Sequence, residues 1–63
     1  MTDTERNYAR TFSTPSGVAV LEHLRNITVE RVLGTDATDA QLRSLEAQRA
    51  LVHQIENMIK RGK

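Results

Sequence analysis

The chain has 63 residues, nine Lys and Arg against eight Asp and Glu, a formal net charge of +1, and no cysteine. That length allows one small domain, the lack of cysteine excludes disulfides and thiolate metal sites, and a charge so near zero gives no general electrostatic reason to bind nucleic acid or a membrane. The start Met1-Thr2-Asp3-Thr4-Glu5 is acidic and polar, unlike a signal peptide, and the longest apolar run, Val18 to Leu21, is far too short to span a bilayer. The expectation is a protein made and kept in a cytoplasm, without a membrane partner.

Charge is divided unevenly. Residues 1–40 carry four Arg against six acids, and residues 41–63 carry five Lys or Arg against two Glu, which leaves the C-terminal end slightly basic. A solvated helix face accounts for that excess.

In chain order, Thr4 to Thr11 reads as a short helix that carries the only two aromatics, Tyr8 and Phe12, four residues apart. That spacing puts them on one side as a hydrophobic anchor. Phe12-Ser13-Thr14-Pro15-Ser16-Gly17 then breaks the helix and restarts it, with Thr14 as N-cap and Pro15 at the first helical position. The second helix is expected from Pro15 to about Asn26, with a possible continuation to Leu33 across the β-branched Ile27-Thr28-Val29. Val18, Leu21, Leu24 and Val32 lie on one side of it, and Gly34 is expected to end it. Thr35-Asp36-Ala37 forms the connection, short enough to make the second and third helices antiparallel neighbours.

The last third, Thr38 to Lys63, is written for one long amphipathic helix. Thr38 and Gln41 fit a capping box, Asp39 and the pair Lys60-Arg61 complement the helix dipole, and Gly62 stands where a left-handed residue would stop it. At 100° per residue, Leu45, Leu51, Val52, Ile55, Met58 and Ile59 share an arc about 140° wide. Asp39 with Arg43 and Glu56 with Lys60 have the spacing of surface ion pairs. The predicted fold is all-α: an antiparallel helical hairpin whose C-terminal helix is long, preceded by a short N-terminal helix. Two or three such helices cannot cover two wide apolar faces unaided, so self-association or docking on a larger partner is expected.

Candidate chemistry is sparse. His23 and His53 fall on exposed sides without converging ligands, so neither marks a metal site. Ser13, Ser16 and Ser44 sit in no nucleophile elbow, and no glycine spacing matches a phosphate loop. The sequence therefore offers no catalytic, cofactor-binding or metal residue. Gln48 projects at the centre of the apolar arc. Two accounts of it stand side by side: a buried amide bonded to the loop around Gly34 or to its own copy across a symmetric interface, or a partly exposed edge residue. Arg49 borders the same arc, with Glu46 as its simplest partner. Gln41, Arg43, Ser44 and Gln48 are residue types that read bases, but few basic residues cluster as phosphate binding requires. A DNA-associated or regulatory module is the second reading.

Two segments together resemble a family of small tailed-bacteriophage proteins, the Bbp19-like phage domain. The first is Tyr8-Ala9-Arg10-Thr11-Phe12-Ser13-Thr14-Pro15-Ser16-Gly17 followed by Val20-Leu21 and Leu24; the second is Glu46-Ala47-Gln48-Arg49-Ala50-Leu51-Val52-His53-Gln54-Ile55. Ala47 replaces a glycine of that pattern, and Gln48 replaces a basic residue. The resemblance implies a small phage or prophage protein encoded among head and tail morphogenesis genes, made in the host cytoplasm and either packaged in the virion or left behind. It implies no enzymatic activity. Leftover apolar edge around Phe12, Gln48, Leu51, Ile55 and Met58 is then the expected docking surface, for a second copy or a virion protein.

Overall fold

A computed structural model describes residues 1–63 as three α-helices without strands: α1 (Asp3–Thr11), α2 (Pro15–Ile27) and α3 (Asp39–Arg61). Each starts at a threonine cap. Thr2 Oγ1 accepts the Glu5 N–H at 3.1 Å while the Glu5 carboxylate accepts the Thr2 N–H at 2.7 Å. This capping box explains why α1 begins one residue before the predicted Thr4. Thr14 accepts the Gly17 N–H at 3.0 Å, with Pro15 at the first position as expected. Thr38 and Gln41 form the predicted box, at 3.1 and 2.9 Å.

α2 ends within one residue of the expected Asn26 and α3 at the expected Gly62, but neither ends by the expected means. α2 stops at Ile27, so neither Leu33 nor Gly34 belongs to its end. The Thr28 hydroxyl donates to the Leu24 carbonyl at 2.6 Å, and the Thr28 and Glu30 N–H groups both turn back to the Arg25 carbonyl. A β-branched residue that bonds its own helix ends the ladder there. Gly34 lies well inside the loop. Gly62 does cap α3, but with φ −86° and ψ −4°, so it is not left-handed.

Gly62 is glycine for lack of room. A Cβ at that position would collide with the Glu5 carbonyl oxygen and lie 2.9 Å from Ala9 Cβ. Gly17 does the same at the other end of α1, where a Cβ would strike the Thr11 carbonyl oxygen and lie 2.9 Å from Phe12 Cα. These two close approaches seat α1 across the C-terminal end of α3 and lock its far end to the start of α2.

α2 and α3 run antiparallel: Arg25 Nη1 meets Glu56 Oε2 at 2.6 Å, and three residues later the Thr28 carbonyl accepts from Arg49 Nε at 3.0 Å. Long polar side chains span this gap, whereas Gly62 and Ala9 bring α1 directly against α3. The larger contact on α3 is therefore made by α1, and the predicted closure of the Val18, Leu21, Leu24 side of α2 is only partial. Val18 remains 53% exposed, and Leu21 and Leu24 are half-buried. The expected pairs of Asp39 with Arg43 and Glu56 with Lys60 do not form; Glu56 is held instead by Arg25 and by His53 Nδ1, at 3.3 Å.

The result is a plate. The chain measures 42 × 22 × 11 Å, and 11 Å is thinner than the roughly 13–15 Å that two stacked helices span. Its radius of gyration is 13.7 Å, against about 10.6 Å for a compact chain of this length. Only six residues are buried. Leu45, Val52 and Ile59, one every seven residues along α3, form the seam of that small core with Ala9.

Candidate interaction surface

Helical geometry places Gln48, Leu51, Ile55 and Met58 along one side of α3, beside the Leu45–Val52–Ile59 seam. α1 reaches only the C-terminal part of this side, so exposure falls along it. Gln48 is exposed, Leu51 is 58% exposed, and Ile55 and Met58 are half-buried. Phe12 stands apart from these four. It caps α1, stacks on Tyr8 with ring centroids 6.3 Å apart, and is half-buried at the corner where α1 meets α2. The predicted aromatic anchor is thus present, as part of a different cluster.

Gln48 is not the buried amide of the first account. The position at the centre of the arc was read correctly, but no helix lies over that part of α3. Gln48 forms the wall of an open cleft of about 470 Å³ between the 31–38 loop and the N-terminal half of α3, with Arg31, Leu33, Gln41 and Ser44. Only the loop flanks it, and solvent reaches the amide.

Arg49 holds that loop. Its guanidinium donates to the Thr28 carbonyl at 3.0 Å, the Arg31 carbonyl at 2.6 Å and the Glu46 carboxylate at 2.7 Å. Glu46 was foreseeable from the i,i+3 spacing; the two carbonyls were not, because a backbone acceptor in a loop has no signature in the sequence. The planar fork of Arg suits these three acceptors, two carbonyls of the chain after α2 and one carboxylate on α3. Arg25 with Glu56 is the second bridge between α2 and α3, and its partners are 31 residues apart.

At the opposite end, Glu5 combines two tasks. Its carboxylate caps Thr2 and lies 4.0 Å from Arg61 Nε. The hydrogen bond from the Thr2 backbone, helped by the Thr2 hydroxyl and by Arg61, holds its carboxyl below the ordinary value of 4.5. Arg6, Arg10 and Lys63 line a shallow cleft of about 350 Å³ beside this corner. His23 and His53 are both exposed, on different helices. No helix is long and apolar enough to cross a membrane.

Comparison with known proteins adds one match. No curated protein and no solved structure matches the chain. The family model described as Bbp19-like phage protein matches residues 8–60. That span takes in both segments of the sequence resemblance, the Gly17 seat, the Arg25–Glu56 bridge and the Arg49 clamp, and with most of its length matched this chain belongs to the Bbp19-like family of bacteriophage proteins.

Proposed function

We propose that this phage protein is a non-enzymatic structural or assembly component that works through helix-mediated protein contacts in virion or head–tail morphogenesis. The observation that carries the reading is surface left uncovered. The chain exposes 4756 Å², whereas a compact monomer of 7.1 kDa exposes roughly 4,080 Å². The surplus, about 680 Å², includes apolar side chains: Val18 and Val20 are each 53% exposed, Leu51 58% and Val32 88%. A plate too thin for two stacked helices leaves apolar side chains in water, and a protein partner would remove that contact. The partner is a further copy, a virion protein, or both. Mass spectrometry of purified particles tests the assignment: presence supports a virion part, absence restricts the role to assembly, and failure to bind itself or any particle or assembly protein would overturn it.

A second reading, a small DNA-associated module, draws on Arg6, Arg10 and Lys63 around one cleft. Phosphate contacts weaken steeply with salt, so a gel shift at about 50 mM salt is the favourable case. Absence of retardation there disposes of this reading.

A further inference from the structure

Cations gather at one corner of the plate. Residues 1–13 and 60–63 together hold five Lys and Arg against two acids, whereas residues 14–59 hold four Arg against six acids. The two acids of the corner neutralise little of this. Glu5 is engaged by the Thr2 cap and stands 4.0 Å from Arg61, and Asp3 is 95% exposed, 3.7 Å from Arg6. Arg10 and Lys63 enter no salt bridge.

The backbone holds these charges together. Arg6 and Arg10 are four residues apart on α1, a like-charged spacing that weakens a helix. The missing Cβ of Gly62 lets the end of α3 lie against the Glu5 carbonyl and Ala9, which brings Lys63 to the same place. Arg6, Arg10 and Lys63 therefore line one depression of about 350 Å³ with Ala9, Ser13 and Gly62, and no carboxylate lines it. The Ser13 hydroxyl turns back to the Ala9 carbonyl, so the free donors there are the cations.

We propose that this depression is the docking site for a short acidic segment of a phage particle or assembly protein, whose carboxylates Arg6, Arg10 and Lys63 receive. The inference rests on the protein-contact reading of function and names the chemistry of the partner. The sign of the charge selects the occupant: an anion relieves the repulsion among three cations that packing holds together, and a guanidinium grips a carboxylate through two parallel N–H groups. The extent of the charge selects a short protein segment over nucleic acid. A duplex carries one negative charge per roughly 1.7 Å of its axis. Outside the corner the balance is four cations against six acids, or −2, so a duplex laid along the 42 Å plate runs onto repelling surface. A short acidic segment ends before it.

The test uses the full chain and fluorescent octaglutamate, with octaglutamine and a duplex of about 20 base pairs for comparison, in about 50 mM salt, where screening is weak. Anisotropy should show octaglutamate bound and octaglutamine free, with the affinity falling several-fold at about 200 mM salt. Arg10→Gln with Lys63→Gln should weaken binding about tenfold. Arg31→Gln with Arg43→Gln removes the same charge elsewhere and should leave the affinity within about twofold. All four side chains are exposed, so helical circular dichroism should persist in both variants. In the wild type, octaglutamate should shift the amide resonances of residues 6–13 and 62–63, which locates the site without any substitution. Absence of binding, equal loss in the two variants, shifts elsewhere, or tighter binding of the duplex overturns the site. So does salt-sensitive self-association lost in the Arg10 and Lys63 variant, which would give the corner to a second copy. If octaglutamate fails and a particle or assembly protein still binds, the proposed function survives without this inference; if octaglutamate binds at the corner and no such protein does, the reverse holds.

Discussion

Replacing Gly17 by alanine sets two effects of opposite sign against each other. Gly17 lies in the first turn of α2, where Ala is the better helix former by about 1 kcal/mol. The new Cβ, however, would occupy the space of the Thr11 carbonyl oxygen and lie 2.9 Å from Phe12 Cα. These are backbone atoms, so no rotamer change relieves the overlap; the α1–α2 corner must open. Overlap with backbone atoms belongs at the top of the range for overpacking, about 3 kcal/mol, which exceeds the gain in helix propensity, and here it also separates the Tyr8–Phe12 stack from its support. The net loss is about 2 kcal/mol, which for a chain this small lowers Tm by roughly 8–16 °C. Gly34→Ala is the internal control: its nearest obstacle is the movable Asp36 Oδ1 at 3.0 Å, and no glycine has positive φ. Reduced freedom of the unfolded chain should then raise stability by about 0.4–1 kcal/mol. Thermal melts followed by circular dichroism decide it. A Gly17→Ala variant as stable as the wild type, or a Gly34→Ala variant less stable than Gly17→Ala, would refute the packing role assigned to Gly17.

Two further outcomes follow from named contacts. Arg49→Met removes the donors to the Thr28 and Arg31 carbonyls; hydrogen bonds to a charged group on a partly exposed side chain give a loss of about 2 kcal/mol. Trypsin should then cut after Arg31 faster than in the wild type, and an unchanged rate would show that Arg49 does not hold the loop. Glu5 has a lowered pKa in the fold, so its contribution is complete above 4.5 and disappears as the pH falls through the folded-state value. Glu5→Gln keeps an oxygen for the Thr2 N–H but has no charge to lose. The wild type's advantage over Glu5→Gln in melting temperature should be present at neutral pH and vanish well below pH 4.5; a constant difference would contradict the assignment.

How much of this could be read from the sequence divides along a physical line. Local signals were legible: Thr14 with Pro15, and Thr38 with Gln41, act within one turn of chain and depend on nothing distant. Tyr8 and Phe12 meet because a helix brings residues four apart together. Gln48 could be read only as far as two alternatives, of which the exposed one holds, for the complementary reason. Its angle on α3 is fixed by periodicity, but whether another element lies above it depends on α1, which is too short to reach it. Gly62 reads as a stop, and Gly17 only as one residue of the break before α2, because the sequence does not show the neighbouring carbonyls of Glu5 and Thr11 that make glycine necessary. Gly34 was given the role of helix stop, which belongs to Thr28 and its bond to the Leu24 carbonyl. Arg49 shows the same limit from the side of the candidate surface, since two of its three acceptors are main-chain atoms of a loop.

Under the proposed function, association covers the apolar surface that a plate 11 Å thick leaves in water. Its most direct test is the melting temperature as a function of protein concentration. Association that favours the folded chain contributes about 2.7 kcal/mol at a hundred times the dissociation constant, so Tm should climb steadily as the protein is concentrated over a hundredfold range. A high melting temperature that stays constant over that range, with the mass of a single chain throughout, would contradict the account.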